Sequence, residues 1–342
     1  MSEKNIKDYD VAGLGDLMID FSYVGKNDEG NSVYARTPGG SMANVMAQVA
    51  RLGGKSMLIT TLGADEHSRY LYSVASKLDI DMSSVSYGTL PTRFMFVYHD
   101  GNSRFFSDYR AVRNESQTVI ENVDIDKFKR CKFFDIKSIR FPETDSVNRT
   151  MDELKKIAFE NDIKLVTDMQ WRGIALEEDE KKFLLEQAGI CTVLKLTDEE
   201  LAFYYDVSEL HDGLDKIFRS SKTELVAVTR GENGSYLATR NAYAACKSFN
   251  VPVKETTGAG DSFTGALLYA LSRKNKPIAE LSCEELSDIG SFACACASYN
   301  TMFKGSLQCM AGLDDVEMMM KTYGTMGEPC AEKLPEPVFI QK

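Results

Sequence analysis

The sequence is poor in histidine, has no block of basic residues and contains no long apolar run. Its three histidines, His67, His99 and His211, lie far apart, which gives little support to a metal cluster or a Ser-His-Asp triad. A net charge of −11 without clustered Lys or Arg argues against a nucleic-acid partner. No apolar stretch approaches the roughly 20 residues of a membrane span, so we expect no membrane association.

Cysteine is present, but without a pattern. The eight cysteines have neither the spacing of a disulfide framework nor that of a zinc site. The polar start, Met1-Ser2-Glu3-Lys4-Asn5, does not resemble a signal peptide. These features predict a reduced, cytoplasmic protein. With 342 residues, 43% of them hydrophobic, the chain can bury the core of one large α/β domain or two ordinary ones.

Segments with strand character alternate with helical patterns. The strand-like segments are 11–14, 57–62, 164–167, 192–196 and 225–228, and two of the helical patterns cover 42–52 and 151–158. Such alternation predicts a mostly parallel sheet with helices on both faces. Ligands of these folds bind beyond the carboxyl ends of the strands.

Two stretches depart from this alternation, about 19–36 and about 93–110. The first mixes polar and aromatic residues with Gly25 and Gly30. The second contains two aromatic segments on either side of His99-Asp100-Gly101-Asn102, which is typical of a β-hairpin with an Asp-Gly turn.

The most informative segment is Glu255-Thr256-Thr257-Gly258-Ala259-Gly260-Asp261, because apolar residues recur at helical spacing after it. Unpaired N–H groups and the positive end of the helix dipole attract anions at such a helix start. A carboxylate in the same turn can accept a proton from a hydroxyl, so the segment indicates phosphoryl transfer to an alcohol. An ordinary capped helix behind a glycine turn explains the same residues.

Two glycine-containing segments imitate nucleotide-binding motifs without completing them. Leu52-Gly53-Gly54-Lys55-Ser56 ends like a Walker A loop, but Val49 occupies the place of its first glycine. Gly13-Leu14-Gly15 starts like a dinucleotide fingerprint, but Met18 replaces its third glycine. We interpret both as structural turns.

Residues Gly258 to Asp261 resemble the C-terminal signature of the PfkB/ribokinase family of carbohydrate kinases. The N-terminal signature of that family is similar to Pro38-Gly39-Gly40-Ser41-Met42-Ala43-Asn44-Val45, followed by Leu52-Gly53 and Thr61-Leu62-Gly63-Ala64-Asp65. The resemblance extends from about residue 11 to about residue 307 and is strongest to fructokinases and 2-keto-3-deoxygluconate kinases. It implies a single ribokinase-like domain over 1–342, with a three-layer, doubly wound α/β fold and a small β lid formed by the two irregular stretches.

The resemblance also implies roles for individual residues. Asp261 is the expected general base, and the backbone N–H groups of Gly258, Ala259 and Gly260 are the expected anion hole. The expected sugar contacts are Asp20, Gly39, Gly40, Asn44, Arg110 and Arg172. Asp16 is a rival to Asp20, and the two glycines could merely begin the following helix. The segment Asp168 to Arg172 resembles an Asp-x-Asn-x-Arg segment of the family, with Gln170 in place of Asn.

The nucleotide site implied by the resemblance comprises Lys195, Thr229, Gly231, Gly234 and Asn300. Glu200 would help to hold Mg²⁺ through water, although Thr197 and Glu200 also fit a capping box at a helix start. The turn at Thr229 to Gly234 could equally be only a β-turn. Glu255 replaces an aspartate in a neighbourhood that binds K⁺ in some relatives, which leaves activation by K⁺ open.

These features predict an ATP-dependent kinase that phosphorylates a primary hydroxyl of a sugar, with fructose first among the substrates and a homodimer formed through the β lid. Within the same chemistry the alternatives are a 2-keto-3-deoxygluconate kinase and a ribokinase or nucleoside kinase. A non-catalytic sugar-binding protein and a Rossmann oxidoreductase are alternatives of a different class.

Overall fold

The computed structural model describes residues 7–100, 103–106, 113–136, 145–171 and 176–326. The strands are β1 (Tyr9–Leu14), β2 (Met18–Lys26), β3 (Ser32–Gly39), β4 (Ser56–Gly63), β5 (Asp81–Gly88), β6 (Phe94–Asp100), β7 (Ser103–Phe106), β8 (Cys131–Ile136), β9 (Lys164–Asp168), β10 (Val193–Thr197), β11 (Leu225–Thr229), β12 (Ser235–Ala238) and β13 (Tyr243–Cys246).

The α-helices are α1 (Ser41–Arg51), α2 (Glu66–Ser76), α3 (Ile125–Phe128), α4 (Ser146–Glu160), α5 (Glu178–Gly189), α6 (Asp198–Tyr205), α7 (Leu210–Ser220), α8 (Ala259–Ser272), α9 (Cys283–Thr301) and α10 (Leu313–Thr322). Short 3₁₀ helices cover Asn114–Gln117, Ile120–Asn122, Gly231–Asn233, Ile278–Glu280 and Leu307–Cys309. None of the helices in the described ranges has the length and apolar character that a membrane span requires.

A nine-stranded sheet forms the centre, in the order β13-β12-β11-β10-β9-β8-β1-β4-β5. The pairs from β11 through β5 are parallel, whereas β12 and β13 continue the β11 edge in antiparallel pairs. The five strands predicted from the sequence are all present in this sheet, and the mostly parallel architecture is confirmed.

Side chains of the central strands are buried on both faces of the sheet. Val11 and Phe133 lie in the core shared with α1, α2, α8, α9 and α10, while Ala12 and Phe134 lie in the core on the other face, shared with α3 and α4. A third buried cluster lies between β10, β11 and helices α5 to α7. Burial on both faces explains why these strands read as short apolar runs rather than as an alternation of polar and apolar residues.

A second, four-stranded sheet has the order β3-β2-β6-β7 and is called the small sheet below. Its β2–β3 and β6–β7 pairs are antiparallel, and β2 pairs in parallel with β6. Aromatic rings pack across it, with Phe21 stacked on Phe96 at 5.4 Å and edge-on to Phe94 at 5.7 Å. The two irregular stretches of the sequence therefore come together in one sheet, although 101–102 and 107–110 lie outside the described residues.

At the amino ends of the strands, a buried carboxylate connects four elements. Asp10 on β1 accepts hydrogen bonds from the Lys55 backbone N–H at 3.0 Å, from Lys132 Nζ at 3.0 Å and from Arg273 Nη2 at 2.8 Å. Burial alone would raise the pKa of Asp10, but these hydrogen bonds and the two cations outweigh it and lower the pKa. The carboxylate therefore stays charged and holds β1, β4, β8 and the end of α8 together.

We expect Asp10→Asn to lower the free energy of unfolding by about 3 kcal/mol, near the lower limit for a broken buried ion pair because both cations stay partly solvated. Urea denaturation at pH 7 measures this. The difference between the two proteins should shrink as the pH falls. A group with a lowered pKa stabilises the fold above its unfolded pKa, and the contribution is lost as the pH falls through the folded pKa.

Glu317→Gln is the control, because Glu317 and Lys321 form an exposed ion pair on α10, with 3.4 Å between Glu317 Oε2 and Lys321 Nζ. It should change stability by less than about 0.5 kcal/mol. Equal effects of the two substitutions, or a difference for Asp10→Asn that does not depend on pH, would contradict the assignment.

Candidate active site

The N-terminal turn of α8 lies at the carboxyl edge of the central sheet. Gly258 precedes the helix with φ +80°, and the Ser262 N–H makes the first bond of the helix, to Gly258 O at 2.7 Å. The Ala259 N–H donates to Thr256 O within the turn at 3.3 Å. The N–H groups of Gly260 and Asp261 have no acceptor within the helix, so these two are the amides best suited to an anion.

Asp261 is held by donors from two other elements. Ser41 Oγ and Asn44 Nδ2, on the first turn of α1, donate to Oδ1 at 2.7 Å and to Oδ2 at 2.8 Å respectively. The amide of Gln170, just after β9, donates to Oδ1 at 3.3 Å. Burial raises the pKa of Asp261, while the hydrogen bonds from Asn44 and Ser41 oppose that rise.

A cavity of about 210 Å³ opens beside Asp261. Its lining is Asp16, Met18, Asp20, Gly40, Ser41, Asn44, Arg93, Met95, Thr257, Gly258 and Asp261. Of the residues predicted to contact sugar, Asp20, Gly40 and Asn44 lie in this wall. Gly39 lies directly behind it, since a Cβ there would be 2.4 Å from Asp20 Oδ2. Asp16, the rival of Asp20, lines the same cavity and accepts from the Met42 N–H at 3.2 Å.

A buried ion pair supports the α8 turn. Lys195 Nζ on β10 lies 2.9 and 3.1 Å from the two carboxylate oxygens of Asp168 on β9. A Cβ built on Gly260 would be 3.2 Å from the same Nζ, so the ammonium group lies next to the turn. Burial alone would lower the pKa of Lys195, but Asp168 and Glu200 outweigh burial and raise it. The ammonium is therefore charged and adds positive potential beside Gly260.

Glu200 has its carboxylate engaged by backbone groups. One oxygen accepts from the Trp171 N–H at 2.7 Å, and the other accepts from the Thr197 N–H, also at 2.7 Å. The Thr197 hydroxyl accepts in turn from the Glu200 N–H at 3.1 Å, which completes the capping box at the start of α6. The capping role that the sequence allowed is therefore present, and a role toward Mg²⁺ stays a prediction.

The other residues predicted to contact the nucleotide lie outside the cavity. Thr229 ends β11, and Gly231 and Gly234 form the turn to β12. A Cβ on Gly234 would be 2.0 Å from Cys246 O, so this glycine permits close packing of β13 whatever else it does. Asn300 is fully buried and donates to Ser306 O at 3.4 Å, which places it behind the 304–306 loop.

Glu255 joins this loop to the α8 turn. One of its carboxylate oxygens accepts from the Gly305 N–H at 3.1 Å, and the other accepts from the Thr257 hydroxyl. Both oxygens are therefore already engaged by groups of the chain itself.

Three residues of the site were missed by the sequence analysis: Ser41, Gln170 and Arg93. Ser41 lies in the N-terminal signature and Gln170 in the Asp168 to Arg172 segment. Their positions in these motifs therefore indicated the site, but their residue types did not predict hydrogen bonds to Asp261. Arg93 begins the predicted lid stretch 93–110, which indicated its region but no role for its side chain. Arg110 and Arg172 lie outside the described residues.

The model of the pfkB family carbohydrate kinases matches residues 9–310 of the chain. The chain belongs to this family. As a pfkB carbohydrate kinase it carries out the class of reaction predicted from the sequence, ATP-dependent phosphorylation of a carbohydrate.

The relatives of this pfkB kinase are similar over nearly their whole length. A protein of Pyrococcus horikoshii named as a sugar kinase is 30% identical over 303 residues, which are 86% of this chain and 91% of the relative. An Arabidopsis thaliana protein named "Probable fructokinase-2" is 27% identical over 307 residues, 88% of this chain and 92% of the relative. The fold is similar to that of a Xylella fastidiosa fructokinase solved with bound ATP, with a TM-score of 0.81, 22% identity and coverage of 91% and 98% of the two chains.

Gly258 provides a test of the site. A Cβ at Gly258 would lie 2.9 Å from Ser306 Cβ, and its φ of +80° strains any L side chain. We expect Gly258→Ala to lower the free energy of unfolding by about 1–2 kcal/mol and kcat/KM by about 10²-fold, because the turn must move.

Gly53 is a matched control, with the same φ of +80° and nothing within 4 Å of an added Cβ. Gly53→Ala should show the cost of the φ strain alone, no larger than that of Gly258→Ala, and keep the wild-type kcat/KM. Loss of activity in both variants, or in neither, would show that the position of the α8 turn does not govern the reaction.

Proposed function

We propose that this pfkB kinase transfers the γ-phosphoryl group of ATP to a primary hydroxyl of a neutral sugar, with fructose as the first candidate. The observation that carries the proposal is Asp261. Its carboxylate lies in the first turn of a helix, is oriented by Ser41 and Asn44, and borders a cavity lined by polar groups.

Asp261 is the proposed general base. It accepts the proton of the sugar hydroxyl while that oxygen bonds to the γ-phosphorus and ADP leaves. The pKa raised by burial supports this role, because a base is most effective when its pKa approaches the working pH. The hydrogen bonds from Ser41 and Asn44 keep the carboxylate oriented toward the cavity.

The transferred phosphoryl group is proposed to lie at the α8 turn. The N–H groups of Gly260 and Asp261 and the ammonium of Lys195 would stabilise its negative charge. Donors fixed before the reaction stabilise a transition state without reorganisation, and they do so most strongly where water is excluded. The Lys195 ammonium lies next to Gly260, close enough to attract the phosphoryl group at the α8 turn. Lys195 would then interact with both the phosphoryl group and Asp168.

Three observations favour a neutral sugar. Arg93 has only a 14% exposed side chain, and its Nη1 pairs with Glu115 at 3.0 Å and lies 3.8 Å from Asp16. The charge of the guanidinium is therefore already compensated by two carboxylates and adds little net positive charge for a sugar acid, although its buried Nε has no partner among the described residues. The cavity of about 210 Å³ is also smaller than the roughly 300–1,000 Å³ of drug-sized sites, which suits a polyol better than a nucleoside. Asn44 Oδ1 is buried without a partner among the described residues, so a sugar hydroxyl that reached it would satisfy it.

The nucleotide is proposed to lie between the turn of Thr229, Gly231 and Gly234 and the 304–306 loop that Asn300 supports from behind. ATP is the phosphoryl donor in kinases of this class, and Mg²⁺ bound with it neutralises part of the phosphate charge. Glu200 fits a role in holding hydrated Mg²⁺ only through water, because both of its oxygens already accept backbone N–H groups.

We further propose that K⁺ is not required. The Glu255 carboxylate already joins Thr257 to Gly305, so the α8 turn and the 304–306 loop are connected by groups of the chain itself.

A homodimer through the small sheet and a cytoplasmic location stay predictions. Val24 and Val33, 60% and 40% exposed on the small sheet, support such an interface, and sedimentation velocity of the intact chain would decide it.

A substrate panel tests the proposed function. ADP production is measured with Mg-ATP and fructose, ribose, 2-keto-3-deoxygluconate, adenosine and inositols, first with K⁺ and then with tetramethylammonium in its place. We expect the highest kcat/KM for fructose and equal rates with either cation. Preference for 2-keto-3-deoxygluconate would overturn the neutral-sugar argument from Arg93, and no turnover on any compound would favour a non-catalytic sugar-binding protein.

Asp261→Asn tests the base. It should lower kcat by roughly 10²–10⁴-fold, the range for a lost general base, while binding of the sugar is retained. Asp10→Asn is the matched control, because it neutralises a buried carboxylate at the opposite edge of the sheet. A near-normal kcat for Asp261→Asn, or an equal loss in the folded Asp10→Asn protein, would contradict the assignment.

A further inference from the structure

Gln170 is placed between two carboxylates at the carboxyl edge of the sheet. Its Nε2 donates to Asp261 Oδ1 at 3.3 Å and also to the hydroxyl of Ser41, and its side chain hydrogen-bonds to Asp168. Two carboxylates that share one amide are kept apart by a neutral donor. Without it, Asp168 and Asp261 would face each other with only Lys195 to offset their repulsion.

The backbone of Gln170 is unusual for its residue type. Its φ is +45°, in the left-handed region, which only a few other non-glycine residues of the described chain adopt. A non-glycine residue in this conformation costs of order 1–3 kcal/mol. Strain of this kind persists where the surrounding structure requires it. Here the left-handed conformation places the side-chain amide of Gln170 within hydrogen-bonding distance of Asp261.

The hydrogen bonds to Asp261 are distributed unequally over its two oxygens. Oδ1 accepts from both Ser41 and Gln170, whereas Oδ2 accepts from Asn44. A carboxylate oxygen has two in-plane lone pairs. Among the described residues, two donors therefore fill Oδ1, and one lone pair of Oδ2 stays open.

We propose that Gln170 is a positioning residue for the phosphoryl transfer: together with Ser41 it occupies Oδ1 of Asp261, so that Oδ2 is the oxygen that receives the proton of the sugar hydroxyl. This inference rests on the proposed role of Asp261 as base. It assigns the proton to one atom and gives the strained backbone of Gln170 a purpose, since that backbone places the side-chain amide beside Asp261.

The charge of Asp261 depends on several neighbours besides Gln170. Asp168 and Lys195 face it from β9 and β10, with Glu200 beside them on α6. The same cavity wall contributes three further charged groups, Asp16, Asp20 and Arg93. A substitution at Gln170 leaves all of these groups in place, so a change in the titration of Asp261 can be attributed to the lost amide.

The experiment measures kcat/KM against pH for two variants. Gln170→Gly keeps the left-handed backbone without strain but removes the donor, so the ionised form of Asp261 loses a hydrogen bond. The acid limb of the profile should move up by about one pH unit, with a plateau at high pH near that of the wild type. Gln170→Glu keeps the shape but adds a third carboxyl group, and the limb should move up by about two units.

Asp206→Gly is the matched control, because Asp206 also has a left-handed backbone, with φ +50°, at the end of α6. It should leave both the profile and the melting temperature near wild type, and Gln170→Gly should also melt no lower than wild type. Ser41→Ala should move the acid limb in the same direction as Gln170→Gly, and Ser41→Thr should restore it.

Two outcomes would overturn the inference. An equal loss of kcat/KM by Gln170→Gly at every pH, with an unmoved limb, would mean that the residue is only structural. An increase in the KM of the sugar with an unmoved limb would mean that Gln170 contacts substrate instead. Failure of the proposed function itself looks different, because wild-type turnover would then be absent or Asp261→Asn would stay active.

Discussion

The close crossing of α1 and α8 sets the geometry on which the site depends. A Cβ on Gly265 would lie 2.6 Å from Gln48 Cβ and 2.8 Å from Val45 O, so the two helices touch through backbone. Glycine inside a helix costs roughly 0.5–1 kcal/mol relative to alanine. At position 265 that cost is offset by the close contact between α1 and α8, which a side chain would prevent. Only at this distance can the first turn of α1 donate hydrogen bonds to Asp261 on the first turn of α8. A wider crossing would leave the carboxylate buried without donors, which is among the costly arrangements in a protein interior.

Two aspartates at opposite edges of the sheet show how environment decides the use of a carboxylate. Asp10 is surrounded by two cations and a backbone N–H, and its pKa is lowered. Burial raises the pKa of Asp261, and the neutral donors Asn44 and Ser41 oppose that rise without overcoming it. Charge compensation within the chain makes the first group a structural element. Incomplete compensation gives the second the raised pKa that its proposed role as general base requires.

Much of the fold follows from local sequence patterns. The apolar segment 225–228 is bounded by polar residues, and it forms β11 with only one further residue, Thr229. The helix start at Gly258 was also predictable, because small residues and an acidic side chain precede a helical apolar pattern. These features depend on neighbours in the chain, and a periodicity argument detects them.

The contacts that complete the site depend on residues distant in sequence. Ser41 and Asp261 are 220 positions apart, and Gln170 lies 129 positions from Ser41. No spacing rule relates them, since the sheet topology alone brings the ends of β1, β9 and β10 to one edge. The pairing of Arg93 with Glu115 was hidden for the same reason, and so was the use of Glu255 to hold Gly305. The sequence could name the region of the site and the proposed base, but not the Ser41 and Gln170 side chains that hydrogen-bond to it.

The path of the chain from β1 to α1 has a mechanical consequence. After β1 the chain runs out along β2, returns along β3, and enters α1 through Gly40 with no intervening loop. Gly40, at φ +111°, presses against the backbone of Asp16, because a Cβ there would be 2.5 Å from Asp16 O. The β2–β3 hairpin and α1 are therefore joined at Gly40 without slack. The first turn of α1, which donates to Asp261, has its position set from one side by the small sheet.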